Sequence, residues 1–242
     1  MVNKVTHAII MAAGYGTRMR PLTDHTPKPL ITVNDTPLIE SVINSLHANG
    51  IQQIYIVVGY LKDAFNYLTN KYQDIHLINN PYYETCNNIA SLYMARDYIA
   101  NAIILDGDQD IYHPEILQPT FNYSGYNAVW TDQFTKEWLL TVNQHNIITH
   151  CSRNGGSHGY RLYSVSRWNY ADGLRLKHYL TIEMEQKQHT QLYWDDVALF
   201  QYPQAFKLQV YPMQANDIIE FDSIAELAQV DHSYCKYLHS KA

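Results

Sequence analysis

Cysteine is scarce in this 242-residue chain, and long apolar runs are missing from it. The three cysteines, Cys86, Cys151 and Cys235, are odd in number and lack metal-ligand spacing, so they indicate free thiols in a reducing compartment. No apolar run approaches the ~20 residues of a membrane helix. Residues 1–4 lead directly into the first predicted strand without a signal-peptide pattern. We therefore expect a cytoplasmic protein that makes no use of a membrane.

An excess of positive charge is also missing. The chain has 17 Lys and Arg against 23 Asp and Glu, a net charge of −6, and no basic stripe, which argues against a nucleic-acid partner. The 12 histidines are scattered and assigned to no site. Hydrophobic residues make up 46% of the chain, which suits one α/β domain with a good core.

Glycine, proline and basic side chains are concentrated near the N-terminus. Residues 7–10 predict a strand, and the signature loop follows it as MAAGYGTRMRPLT (residues 11–23) and TPKPL (residues 26–30). A glycine-bearing turn after a strand exposes backbone N–H groups that bind phosphate. Gly14 and Gly16 let the backbone approach a nucleotide without an intervening Cβ. Because Arg18, Arg20 and Lys28 add positive charge, the loop predicts a polyphosphate site.

The wider pattern narrows this prediction. A lone Gly-x-Gly also fits ordinary turns and dinucleotide-binding folds, but here Pro21 and a Thr/Pro stretch follow in place of a third glycine and a helix. The combination AAGxGxR, PxT and PK resembles the signature of the nucleotidyltransferases, which join a nucleoside triphosphate to a phosphorylated acceptor. This resemblance implies that Arg18, Lys28 and Asp108 are catalytic residues and that Mg²⁺ is the cofactor.

The remaining pattern predicts an α/β chain, and the resemblance implies a Rossmann-like nucleotidyltransferase fold. We expect a mostly parallel central sheet with helices on both faces, as a single domain over residues 1–242 with a small acceptor-binding lobe. The predicted strands are 54–58, 75–78, 102–105, 128–130, 138–142, 147–148, 160–165, 206–211 and 218–222. The predicted helices are 36–46, with Thr36 as N-cap, and 62–72, 88–99, 171–188 and 223–229.

Two aspartates that follow apolar runs, Asp108 and Asp222, are the candidate Mg²⁺ ligands. Magnesium takes oxygen ligands, and one or two carboxylates with substrate phosphates suffice. Asp222 also suits a helix cap before Ser223, but the resemblance favours the metal role, since these enzymes carry one metal-binding aspartate after the middle strand and another near the C-terminus. We interpret Asp106 and Asp110 as supporting or turn residues.

The chain as a whole resembles the bacterial CTP:phosphocholine cytidylyltransferases. Three local patterns carry this resemblance: NNIASL (residues 87–92), KEW (residues 136–138) and LYWD (residues 192–195). The resemblance implies a nucleotide site that consists of Ala12, Ala13, Gly14, Gly16, Thr17, Arg18, Lys28, Asn87, Asn88 and Ser91. It implies an acceptor site that consists of Trp138, Tyr193, Trp194, Asp195 and Glu220. Aromatic faces and a carboxylate suit a trimethylammonium, which has no hydrogen-bond donor.

Several alternatives remain open at this point. Trp138 and Trp194 also fit core packing, and Asn87 and Asn88 also fit an Asx-turn and a helix N-cap. The predicted reaction is Mg-dependent transfer of CMP from CTP to phosphocholine, which gives CDP-choline and pyrophosphate. The alternative acceptors are 2-aminoethylphosphonate, phosphoethanolamine and a sugar 1-phosphate. A non-catalytic nucleotide-binding protein is disfavoured because Arg18, Lys28 and the acids are present. The oligomeric state is not predicted.

Overall fold

Parallel strands from the first half of the chain form the centre of the sheet. The computed structural model describes residues 2–238. The strands are β1 (His7–Ala12), β2 (Gln53–Val58), β3 (Ile75–Asn79) and β4 (Ala102–Asp106). They run parallel in the spatial order β3, β2, β1, β4. The predicted parallel arrangement is therefore confirmed, and the carboxyl ends of β1 and β4 lie side by side.

Helices cover both faces of these strands. Ala8 and Ile10 of β1 belong to the same core cluster as helix α1 (Leu38–Ala48), whereas Ile9 and Met11 belong to a second cluster. Short helix α2 (Asn66–Lys71) adds to the first cluster, and α3 (Ile89–Met94) and α4 (Tyr170–Thr181) add to the second. Because alternate residues of β1 enter opposite clusters, this strand is buried on both faces, as its continuous apolar run predicts.

The second half of the chain extends the sheet with antiparallel pairs and one parallel pair, and it adds a separate two-stranded antiparallel ladder. Its strands are β5 (Gln109–Ile111), β6 (Gly125–Thr131), β7 (Leu139–Val142), β8 (Ile148–Ser152), β9 (Gly159–Arg167), β10 (Gln209–Met213) and β11 (Ile218–Glu220). One edge of β9 pairs with β4 at residues 165–167 and with β7 at residues 160–161. The two pairings leave residues 162–164 between them, beside the carboxyl end of β4.

The short pair formed by β5 and β11 determines where the C-terminal acids lie. Glu220 stands opposite Gln109 in this antiparallel ladder, so the end of β11 comes next to Asp108. Helix α6 (Ile224–Val230) follows with a capping box between Ser223 and Glu226. Ser223 is therefore the N-cap, and the helix-cap alternative for Asp222 does not apply.

Several predicted helix boundaries were wrong because a strand pair or an irregular turn occupies the predicted end of the helix. Thr36–Pro37 pairs with Thr32–Val33, so Thr36 is not an N-cap and α1 begins at Leu38. The other predicted helices are confirmed with irregular ends. Lys62–Phe65 forms a 3₁₀ turn before α2, Arg96–Tyr98 forms one after α3, and Ile182–Gln186 forms a π-helical turn after α4. Short helix α5 (Trp194–Asp196) continues as a π-helical segment, Val197–Gln201.

Two expectations about the chain as a whole can be compared with residues 2–238. Within that range no helix combines the length and apolar character needed to cross a bilayer. Cys86, Cys151 and Cys235 are all free thiols, as predicted.

Candidate active site

Glycine occupies positions 14 and 16 of the signature loop for two different structural reasons. Gly16 has a φ of 62°, and a Cβ there would lie 2.9 Å from Cβ of Lys28 and 3.0 Å from Cγ2 of Thr23. The hydroxyl of Thr23 also donates to the carbonyl of Gly16 at 2.9 Å. A Cβ on Gly14, in contrast, would meet no described atom within 4 Å. Gly16 thus lets the loop close on Lys28, whereas Gly14 leaves open space in front of the loop.

Lys28 lies at the centre of the charged groups of the site. Its side chain is 10% exposed, and Nζ lies 2.6 Å from Oδ2 of Asp108 and 3.4 Å from Oδ1 of Asp222. Arg18 lies 2.7 Å from the same Asp222 oxygen. Burial lowers the pKa of Lys28, but the carboxylates of Asp108, Glu220 and Asp222 outweigh it, and the net shift is upward. Lys28 therefore stays cationic at neutral pH.

The signature loop faces a cavity of about 310 Å³, here called the phosphate cavity. Most of the predicted nucleotide residues line it: Ala12, Ala13, Gly14, Gly16, Thr17, Arg18, Lys28, Asn88 and Ser91. Asn87 lies in an adjoining pocket with Ala13, Gly14, Asn88 and Ser91. The structure therefore brings together the predicted phosphate-binding and base-reading segments, which are some 60 residues apart in sequence.

Asn88 connects the nucleotide side of the site to the acceptor side. Its side chain makes no capping hydrogen bond to α3. Instead, its Oδ1 accepts the backbone N–H of Trp194 at 2.9 Å. Ser91 is hydrogen-bonded by the buried Asn80, a residue that the sequence analysis did not select. Asn88 therefore occupies the N-cap position of α3, as the alternative proposed, but its side chain does not cap the helix.

Three carboxylates converge where β4 and β11 end. Oxygens of Asp106, Asp108 and Glu220 all lie within 4.8 Å of one another. Oδ1 of Asp108 is buried and has no hydrogen-bond partner among residues 2–238. Burial, and then the charge of Asp108, raise the pKa of Asp106 to about 8. An unpartnered oxygen within a carboxylate cluster fits a hard divalent cation such as Mg²⁺.

This cluster differs from the predicted pair of metal ligands. Asp108 belongs to both, but Asp222 contacts Lys28 and Arg18. Asp106 and Glu220 complete the cluster, although Asp106 was interpreted as a supporting residue and Glu220 as an acceptor ligand. Asp110, the other supporting candidate, accepts a hydrogen bond from Ser41 at 2.7 Å and so holds α1.

The predicted acceptor residues, apart from Trp194, meet in a second pocket of about 360 Å³, here called the acceptor pocket. It is lined by Arg18, Asn88, Asp106, Glu137, Trp138, Leu162, Ser164, Tyr193, Asp195 and Glu220. Trp138 is half-buried, lies one residue before β7, and meets the ring of Tyr193 edge-on at 5.8 Å. The pocket therefore combines aromatic rings with four carboxylates.

Asp195 is the most deeply buried of these four carboxylates. Only 6% of the residue is exposed, and its Oδ1 has no hydrogen-bond partner in the described part of the chain. Burial raises the pKa of Asp195 to about 8. Burying a carboxylate without a cationic partner costs free energy, and a cationic ligand would supply that partner.

Trp194 corrects one of the predictions. The residue is 1% exposed, and its ring lies 6.1 Å from Tyr126 and 6.2 Å from Trp168 in the core. It offers no surface to a ligand, so packing, and not acceptor binding, explains it. Only its backbone N–H, through Asn88, is linked to the site.

The sequence analysis missed two residues of the acceptor pocket. Glu137 stands beside Trp138 within the KEW pattern, so its position in that segment was the available signal. Ser164 lies in the part of β9 between its two strand partners. No local pattern distinguishes it from the other strand residues.

Comparisons with known proteins agree with this geometry. A family model described as Nucleotidyl transferase matches residues 7–117. The 2-aminoethylphosphonate cytidylyltransferase of Lancefieldella rimae is 40% identical over 237 residues, 97% of this chain and 96% of that protein. The choline-phosphate cytidylyltransferase of Streptococcus pneumoniae is 32% identical over 224 residues, 93% and 96% of the two chains.

One solved structure leads to the same family, and a second supports the fold. The CTP:phosphocholine cytidylyltransferase of S. pneumoniae superposes with a TM-score of 0.86 at 32% identity, over 95% of this chain and 99% of that one. An inositol-1-phosphate CTP transferase from T. maritima superposes with a TM-score of 0.77 at 18% identity over the full length of both chains, which supports the fold alone. Since relatives at 40% and 32% identity cover nearly the whole chain, it belongs to the nucleotidyl transferase family and is a nucleotidyltransferase enzyme.

Proposed function

We propose that this protein transfers CMP from CTP to 2-aminoethylphosphonate and releases pyrophosphate. The observation that carries the proposal is the acidity of the acceptor pocket, where Glu137 and Asp195 lie beside Asp106 and Glu220, the two carboxylates assigned to the metal cluster. A primary ammonium has three N–H donors and needs oxygen acceptors, whereas a trimethylammonium has none. The 40% identity to the L. rimae enzyme, which is named for this acceptor, supports the same choice.

The reaction needs positioning and charge neutralisation more than acid–base chemistry. A phosphonate oxygen would attack the α-phosphorus of CTP and form a new P–O bond. The bond from that phosphorus to the bridging oxygen would break, and pyrophosphate would leave with its electron pair. Because the attacking oxygen is already ionised, no general base is required. Holding the two anions together in the reactive geometry is then the main task of the protein.

Lys28 and Arg18 are the cations placed to do this. Lys28 would lie between the acceptor anion and the α-phosphate and offset the charge that develops there. Arg18 lines both the phosphate cavity and the acceptor pocket, and it would hold the phosphates that leave as pyrophosphate. In the structure Lys28 pairs with Asp108 and Asp222, and Arg18 pairs with Asp222. Phosphates would compete for these cations.

Mg²⁺ is the proposed cofactor, held by Asp108 with Asp106 and Glu220. When bound, it would neutralise charge on the phosphate oxygens. Asp222 remains a predicted ligand, because binding of the triphosphate to Arg18 and Lys28 would free its carboxylate.

Phosphocholine is the second candidate acceptor. Trp138 and Tyr193 both line the acceptor pocket and present aromatic surface, which is the chemistry that binds a quaternary ammonium. The S. pneumoniae relative and its solved structure, both named for choline phosphate, support this candidate. Its weakness is that a trimethylammonium, which has no N–H donor, would leave the carboxylates of Glu137 and Asp195 without hydrogen bonds.

Pyrophosphate release with CTP and Mg²⁺ tests the proposal. The acceptors would be 2-aminoethylphosphonate, phosphoethanolamine, phosphocholine and glucose 1-phosphate at matched concentrations. We expect the highest kcat/KM with 2-aminoethylphosphonate. A preference for phosphocholine would replace the proposed acceptor and keep the cytidylyl transfer, whereas a preference for glucose 1-phosphate would overturn the acceptor argument altogether. UTP and dTTP in place of CTP test the choice of base.

A further inference from the structure

We propose that Arg153 is a positioning residue for the acceptor pocket, through its joint support of Tyr193 and Trp138. Arg153 follows β8 and is absent from the residues that line the acceptor pocket in the described chain. It would therefore act through its neighbours and not by touching the acceptor. The inference rests on the proposed function only in requiring an acceptor that binds beside these two rings.

The first support runs through Asp196. Arg153 forms an ion pair with Oδ1 of Asp196 at 2.5 Å, and the Asp196 side chain is only 4% exposed. The other oxygen, Oδ2, accepts the backbone N–H of Tyr193 at 2.8 Å. This bond fixes the backbone of Tyr193 at the start of α5. Arg153 thus neutralises the buried carboxylate that holds the backbone of Tyr193.

The second support runs through the aromatic rings. The guanidinium carbon of Arg153 lies 4.0 Å from the ring centre of Phe200 and 5.7 Å from that of Trp138. Phe200 and Trp138 meet edge-on at 5.1 Å. A planar guanidinium can stack on rings and bind a carboxylate at once, which an ammonium cannot do equally well. One side chain therefore fixes the packing of Trp138 and the backbone of Tyr193, although they come from distant parts of the sequence.

Arg175 provides a matched control. Like Arg153, it is a partly exposed arginine that forms an ion pair with a largely buried carboxylate, that of Asp172. Its guanidinium carbon lies 5.8 Å from the ring centre of Phe206. The side chains of Arg153 and Arg175 are 44% and 40% exposed. Arg175 belongs to α4 and lines neither the phosphate cavity nor the acceptor pocket. Any general cost of losing such an arginine will therefore appear in both variants.

The experiment compares Arg153→Gln with Arg175→Gln in steady-state kinetics, with the full chain and the acceptor that the wild type uses best. For Arg153→Gln we expect the KM of the acceptor to rise about tenfold, a change of about 1.4 kcal/mol, while the KM of CTP and kcat change less than about threefold. Arg175→Gln should leave all three within about twofold. Arg153→Lys keeps the charge beside Asp196 but loses the planar stacking, so its acceptor KM should be intermediate.

A double-mutant cycle with Trp138→Phe tests the coupling directly. The effects of Arg153→Gln and Trp138→Phe on acceptor KM should be non-additive, and those of Arg175→Gln and Trp138→Phe additive. Equal increases in the KM of CTP and acceptor, or the same acceptor effect in Arg175→Gln, would overturn the proposal. If Arg153→Gln does not fold, Arg153→Lys tests the proposal instead. The proposal then requires the KM of the acceptor to rise more than the KM of CTP. A wild type that prefers phosphocholine would refute the proposed acceptor and leave this test intact, because the same ratios are then measured with phosphocholine.

Discussion

Replacing Asp195 by asparagine should stabilise the free enzyme while it weakens acceptor binding. Burial, with a smaller contribution from the charge of Asp196, raises the pKa of Asp195 from 3.8 to about 8. The folded chain therefore retains a proton that the unfolded chain loses above pH 4. At 1.36 kcal/mol per pKa unit, this difference lowers the stability at pH 7 by up to about 4 kcal/mol. Asparagine keeps the shape and has no charge to desolvate.

The expected gain is smaller than this upper bound and depends on pH. Since the amide still has to be satisfied by hydrogen bonds, we expect about 1–3 kcal/mol at pH 8. The cost of the wild-type carboxylate is absent below its unfolded pKa of 3.8 and grows until the pH reaches about 8. The advantage of Asp195→Asn should therefore be small near pH 4.5 and largest at pH 8.

Urea unfolding of wild type and Asp195→Asn at pH 4.5, 6 and 8, without nucleotide or metal, measures this. Asp63→Asn, at an exposed position, is the control and should show no such trend. In parallel, the acceptor KM of Asp195→Asn should rise at least tenfold with little change in the KM of CTP. A variant that is less stable than wild type at pH 8, or a gain that is the same at every pH, would refute the reasoning.

Three further predictions concern the phosphate cavity and Trp138 of the acceptor pocket. Lys28→Ala or Asp108→Ala should lower kcat by about 10²–10³ or more with the fold retained, as measured by pyrophosphate release and circular dichroism; near-normal turnover in either would remove its catalytic role. Gly16→Ala should lower the free energy of unfolding by about 1 kcal/mol or more because of its positive φ and the Lys28 contact, whereas Gly14→Ala should fold normally and raise the KM of CTP. Trp138→Ala should raise the KM of the acceptor more than that of CTP, and an unchanged acceptor KM would assign Trp138 to packing alone.

Local patterns were sufficient for the phosphate-binding half of the site. Glycine, proline and basic residues act within one short loop, and the apolar run before it has one reasonable structure, a buried strand. The predicted residues from Ala12 to Lys28 accordingly lie around a single cavity. The close approach expected at both glycines fits Gly14, which leaves open space, whereas Gly16 is required by its positive φ and by the loop closing on Lys28, which the sequence analysis did not predict.

The acceptor half depended on contacts between distant segments. Trp138 and Trp194 occur in equally suggestive local patterns, yet one lines a pocket and the other is buried against Tyr126 and Trp168. Which tryptophan is exposed depends on how α5 packs on the sheet. Arg153 had no local signal at all, because its partners Asp196 and Phe200 are more than 40 residues away.

The sequence by itself determined the nucleotidyltransferase signature, the parallel strands and the end of the sheet at which the site lies. Periodicity, turn chemistry and the topology of parallel strands are sufficient for these features. The tertiary structure decided which carboxylates meet, since Glu220 reaches Asp106 and Asp108 only through the antiparallel pairing of β5 with β11. The register of a pairing between segments about 110 residues apart depends on the packing of the whole chain, and no local pattern specifies it.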